Sequence, residues 1–228
     1  MGQLELFEES KQINSDDPIY THEMEALFEH SVDAFYAAAY ARMSGLPIQG
    51  KISRFIEKVL KASGSANSKN IEARTAATQA AFDRGDPDVL AVLKIAYKVQ
   101  VEVHRLTGLL RFSPEQGGEY VARCSPDYFI LPALAEHFTL RFGETPWAII
   151  DEKRRLCLRR EKGGDARLVP LPPEFSPSTP AARKHPDDSW EDLWRLYHKS
   201  INNESRNNPR LQRQFIPERY QKYLTEKI

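Results

Sequence analysis

Apolar residues at spacings of three and four dominate the first half of the chain. Met24, Leu27, Phe28, Val32, Phe35, Tyr36, Ala39 and Tyr40 predict one amphipathic helix from about Glu23 to Met43. Gly45 and Pro47 end it. Phe55, Ile56, Val59 and Leu60 repeat the pattern until "KASGSANSKN" breaks it. Two more helices are predicted near 70–83 and 87–107, parted by "RGDP", with Asp86 as N-cap and Pro87 in the first turn.

The middle of the chain changes character. "GLLRFSPEQGGEYVARC" reads as two short strands around a turn holding Gly117 and Gly118. A helix from about Pro126 to Phe142 follows. "PWAIIDEKRRLCLRR" then predicts a hairpin, with Trp147, Ile149 and Ile150 before a turn near Asp151–Lys153, and Leu156 and Leu158 after it. Residues 161–188 carry Gly163, Gly164 and six prolines, a composition that helices and central strands exclude. They read as a long connector.

From Ser189, the residues Trp190, Leu193, Trp194, Tyr197 and Ile201 fall at helical spacing and predict a helix that docks on the body. Pro209 interrupts it and Pro217 opens a final helix. The expected class is α+β: a mainly helical N-terminal half, a small antiparallel sheet with a crossing helix in the middle, a Pro-rich connector and C-terminal helices. The expected organisation is a flexible N-terminal peptide and tether over 1–20, a body over 21–160, the connector over 161–188, and a C-terminal helical segment over 189–228 packed on the body.

Composition narrows the function classes. No apolar run approaches the roughly 20 residues that cross a bilayer, and the opening "MGQLELFEES" lacks the basic and apolar regions of a secretory signal. Leu6 stands where N-myristoylation wants Ser or Thr. Cys124 and Cys157 form no redox or metal pair by spacing, so a cytoplasmic protein is expected, with no membrane partner. Net charge is zero, which alone argues against nucleic-acid binding. The zero hides an asymmetry: residues 152–228 hold 17 Lys and Arg against 11 Asp and Glu. A basic end can carry the footprint of a phosphate backbone in a neutral chain.

No Gly-rich phosphate loop, zinc signature or nucleophile elbow is present, so no cofactor or metal is expected and enzyme status stays open. Three constellations carry chemistry. His137 and Arg141 are four residues apart on one predicted helix, and with His104, Arg111 and Asp151 they would suit a pocket. There His104, His137 and Asp151 are candidate acid–base groups and the arginines candidate phosphate ligands. The alternative is a polar network tying helix to sheet.

The second constellation is "NESRNNPRLQRQFIPERYQKYL". Asn202, Arg206, Asn207, Asn208, Arg210, Gln212, Arg213 and Arg219 offer donors to phosphates and base edges, and Phe215, Tyr220 and Tyr223 offer rings to unpaired bases. The alternative buries Leu211, Phe215 and Tyr220 and leaves the arginines solvated or paired with Glu204 and Glu218.

The third is "QLELF". Gln3, Leu4, Leu6 and Phe7 resemble the short peptide with which bacterial polymerases and repair proteins hold the sliding clamp, an apolar anchor for a groove with Gln3 as hydrogen-bonding partner. A polar stretch behind it could reach roughly 20 Å as a flexible tether. The alternative is a terminal strand or helix start packed on the body.

"EVHRLTGLLRF", "EYVARCSPDYFILPALAEHFTLRF", "PWAIID" and "LWRLYHKSINNESRNNPRLQRQFIPERYQKYL" together resemble an uncharacterised bacterial family assigned to DNA metabolism or DNA repair. The resemblance runs from about Tyr20 to Leu224, and "NNPRLQRQFIPERY" is its most specific part. Members occur alone or fused to a uracil-DNA-glycosylase-like domain, often encoded near a radical-SAM-type protein. The resemblance implies DNA as partner, single-stranded or damaged forms included, and such repair proteins as further partners. It brings no catalytic residues with it. Three readings stay open: a DNA-repair accessory protein recruited to the clamp, an enzyme on nucleic acid or a nucleotide, and an adaptor that never touches DNA.

Overall fold

The computed structural model describes residues 22–64, 70–115, 118–172 and 189–224, the side chains of 189–191 and 204 excepted. The class is α+β, as the pattern predicts. Contacts divide the chain into two units, Met1–Glu102 with Tyr128–Ile130, and Val103–Asp127 with Leu131–Ile228. "QLELF" lies outside the described residues.

The first unit is built from helices α1 (His22–His30), α2 (Val32–Met43), α3 (Gln49–Ser63) and α4 (Ile71–Ala81), which pack on one another, and the first part of α5 (Pro87–Leu109). Ile52, Phe55, Ile56 and Val59 of α3 are buried, the stripe that helical spacing dictates. Ala73, Ala77 and Ala81 bury a matching small-residue stripe of α4. The single helix expected over 23–43 is two. Ser31 leaves helical geometry at φ −157° and its hydroxyl accepts from the Ala34 amide, so it caps α2. Asp86 caps α5 as expected, its Oδ1 accepting from the Asp88 and Val89 amides.

The second unit holds a five-stranded sheet in the order β1 (Phe112–Pro114), β2 (Tyr120–Cys124), β3 (Trp147–Asp151), β4 (Leu156–Arg160), β5 (Ala166–Pro170). Three pairings are antiparallel, but β2 and β3 run parallel, which makes the sheet mixed where a purely antiparallel one is expected. The cause is α6 (Leu131–Phe142), which returns the chain between them as a crossover. It starts five residues later than the sequence suggests. The peptide ahead of it has other partners: the Arg154 guanidinium donates to the Pro126 and Asp127 carbonyls.

Strand β3 is buried along its whole length. Trp147 meets Phe138 and Phe142 of α6, with Phe112 beside both phenylalanines. On the alternate positions Ala148 and Ile150 pack with Val121, Cys157 and Leu171. Burial in this cluster pushes the Cys157 thiol up to about 11.

Strand β5 lies inside the stretch read as connector. Its residues pair with β4 from Leu156↔Pro170 to Arg160↔Ala166. A proline is tolerated there because β5 is an edge strand and Pro170 ends it. Arg160 reinforces this corner, donating to the carbonyls of Gly143 and Gly164.

Candidate nucleic-acid interface

The C-terminal segment of the second unit consists of α7 (Ser189–Ile201), a 3-10 turn (Glu204–Arg206), α8 (Pro209–Phe215) and α9 (Glu218–Gln221). Its local order is written in short-range caps. Asn203 Oδ1 accepts from the backbone and hydroxyl of Ser205. Asn208 Oδ1 accepts from the Leu211 amide, with Pro209 in the first turn of α8.

The end of the segment is a strap. Tyr220 and Leu224 are buried. The Arg219 guanidinium lies 2.8 Å from the Asp127 carboxylate and stacks over the Tyr220 ring. The Tyr223 hydroxyl donates to Glu152 at 2.7 Å, and burial together with that carboxylate raises its pKa well above the ordinary tyrosine range. Lys222 also approaches Glu152, at 3.8 Å.

Ahead of the strap the arginines are differently placed. Arg206, Arg210 and Arg213 are exposed, and among the described residues none of them makes an ion pair. Among the described residues the Arg213 guanidinium reaches its own helix, at the Pro209 carbonyl. Asn202 and Asn207 are exposed beside them, Gln212 is half-buried, and Phe215 is 62% exposed. Of the aromatic residues in this stretch, Phe215 is displayed while Tyr220 is sealed and Tyr223 is engaged.

Helix α7 departs from its expected packing. Leu193, Trp194, Tyr197 and Ile201 are 53, 40, 52 and 59% exposed. Their spacing fixes a shared face but not what covers it. Trp194 meets Arg111, whose guanidinium carbon is 5.8 Å from the ring centroid, and Arg111 also donates to the Gly108 carbonyl. Arg105 of α5 donates to the Gln214 carbonyl at the end of α8. The sequence does not single out Arg105, Trp194 or Tyr197 as candidate contact residues. Trp194 and Tyr197 have the helical spacing of core residues, and only exposure separates them from such residues.

The candidate pocket is less united. His104 and Arg141 are exposed. His137 is exposed on α6, with its pKa lowered by partial burial and by the neighbouring Arg141. Asp151 is fully buried. Its Oδ1 accepts from the Lys153 and Arg154 amides, and its Oδ2 from the Arg154 guanidinium at 2.8 Å. It makes no hydrogen bond or ion pair with His104, Arg111, His137 or Arg141 among the described residues. His137 and Arg141 are therefore brought together, and Asp151 serves the β3–β4 turn.

Among the described residues no group of three or more His, Cys, Asp and Glu side chains could hold a metal ion, and no helix is long and apolar enough to cross a membrane. Comparison with curated proteins and with solved structures finds no match. A family model described as a domain of unknown function, DUF4130, matches residues 65–226. That match covers the whole second unit except its last two residues, and the chain belongs to the DUF4130 family.

Proposed function

We propose that this protein binds DNA through its C-terminal segment and serves DNA repair or DNA metabolism as an accessory protein. The observation that carries the reading is the trio Arg206, Arg210 and Arg213, exposed and without ion pairs among the described residues. A polyanion supplies the counter-charge they lack, and their guanidinium groups suit phosphate oxygens. Arg219 has a different role because Asp127 already holds it. The basic excess of residues 152–228 gives the same segment a long-range attraction for phosphate. The "QLELF" peptide would bring the protein to the sliding clamp, with Leu6 and Phe7 as anchors.

The test is fluorescence anisotropy with labelled DNA, comparing the intact chain with an Arg206→Ala/Arg210→Ala/Arg213→Ala variant. The expected result is binding that weakens with salt and is largely lost in the variant. Equal binding by both proteins would remove the assignment.

A further inference from the structure

We infer that the nucleic acid held here is single-stranded, and that Trp194 and Tyr197 form the platform on which its unpaired bases stack. The inference rests on the DNA-binding reading above and adds the class of strand. Leu193, Trp194, Tyr197 and Ile201 share one face of α7 and all are exposed. An apolar face of this kind on a charged protein marks a contact surface. The Trp194 and Tyr197 rings are neighbours, with centroids 5.8 Å apart and planes inclined by 36°.

The aliphatic members of this face would suit a protein partner as well as a base. Charge decides between them. Arg111 brings its guanidinium to the Trp194 ring, and the Arg105 bond to Gln214 holds α8 to the same stretch of the second unit. Beyond α7 the chain presents Arg206, Arg210 and Arg213 without acidic partners among the described residues, and Phe215 stands exposed at the end of α8. On the side of α7 away from the rings, Asp192 is neutralised by Arg195 at 2.7 Å. Exposed rings on a segment that also presents Arg206, Arg210 and Arg213 fit bases joined by phosphates. A duplex keeps its base faces inside the stack and can offer this surface only its backbone, so the rings select unpaired strands.

The test uses the full chain, a labelled oligothymidylate and a duplex of equal length, read by anisotropy at low salt. Trp194→Ala/Tyr197→Ala is expected to lose on the order of tenfold in affinity for the single strand and little for the duplex. Trp194→Phe/Tyr197→Phe, which keeps two rings, should retain most of the affinity and serves if the alanine variant fails to fold. The single strand should also quench tryptophan fluorescence in the intact protein and not in Trp194→Phe. Equal affinity for both DNAs, unchanged in the alanine variant, would overturn the platform and leave the arginine reading standing. An alanine variant that changes self-association in sedimentation but not single-strand affinity would overturn it in favour of a protein contact. No binding of either DNA by the intact chain would remove the DNA-binding reading itself.

Discussion

The Tyr223 hydroxyl donates to Glu152 Oε2 at 2.7 Å, tying the last part of the described chain to the β3–β4 turn. Arg219 on Asp127 and the buried Tyr220 and Leu224 add to the same strap. Tyr223→Phe removes one partly buried, charge-assisted hydrogen bond and should cost about 1–2 kcal/mol of unfolding free energy in urea. DNA affinity below the unfolding transition should not change, because the strap positions the segment without being its contact surface. A variant with intact stability but weakened binding would place Tyr223 in the interface.

Asp151 separates a structural carboxylate from a chemical one. It is fully buried, caps its own turn and pairs with Arg154, whose side chain is 24% exposed. Asp151→Asn leaves that guanidinium without its carboxylate, and a loss on the order of 2–3 kcal/mol is expected, less than for a pair sealed on both sides. Calorimetry checks this. A stable Asp151→Asn protein would show that the turn does not depend on the charge.

His137 contributes a pH dependence below neutrality. Its pKa is lowered, first by burial and then by Arg141. A depressed histidine pKa makes the folded state bind a proton less readily than the unfolded chain. Its contribution to stability is therefore present above the ordinary value of about 6.5 and falls away as pH drops below it towards the folded pKa. In an NMR titration Arg141→Ala should move the His137 pKa upward while leaving it below the ordinary value, because the larger cause, burial, persists. No movement would mean that the two side chains do not interact.

What the sequence shows clearly is whatever is decided within a few residues. Asp86 before Pro87 and Asn208 before Pro209 are local capping chemistry, and both helices begin there. The break at Ser31 is hidden because the apolar spacing of Phe28, Val32 and Phe35 runs through it, although the cap itself is a three-residue contact. Strand β5 is hidden by its proline-rich setting, since edge position is a property of the sheet. The parallel pairing of β2 with β3 depends on where α6 returns the chain.

The site divides in the same way. The arginines of 206–219 are visible as residue types, but which of them is neutralised depends on Asp127, about ninety residues before Arg219 in the chain. Trp194 and Tyr197 have the spacing of core residues, and nothing local distinguishes a face that is covered from one that is displayed. The reverse holds for Asp151, whose carboxylate looks available in sequence and is committed to Arg154 in three dimensions.

The central claim is that Arg206, Arg210 and Arg213 hold phosphates. The measurement that tests it most directly is the slope of log K against log salt concentration for single-stranded DNA, in the intact chain and in single Arg→Ala variants at these positions and at Arg219. Each phosphate contact removed should flatten the slope by about 0.7. Arg206→Ala, Arg210→Ala and Arg213→Ala should each do so, while Arg219→Ala, whose partner is Asp127, should leave the slope unchanged. A slope near zero in the intact protein, or one that responds to Arg219 and not to the other three, would contradict the account.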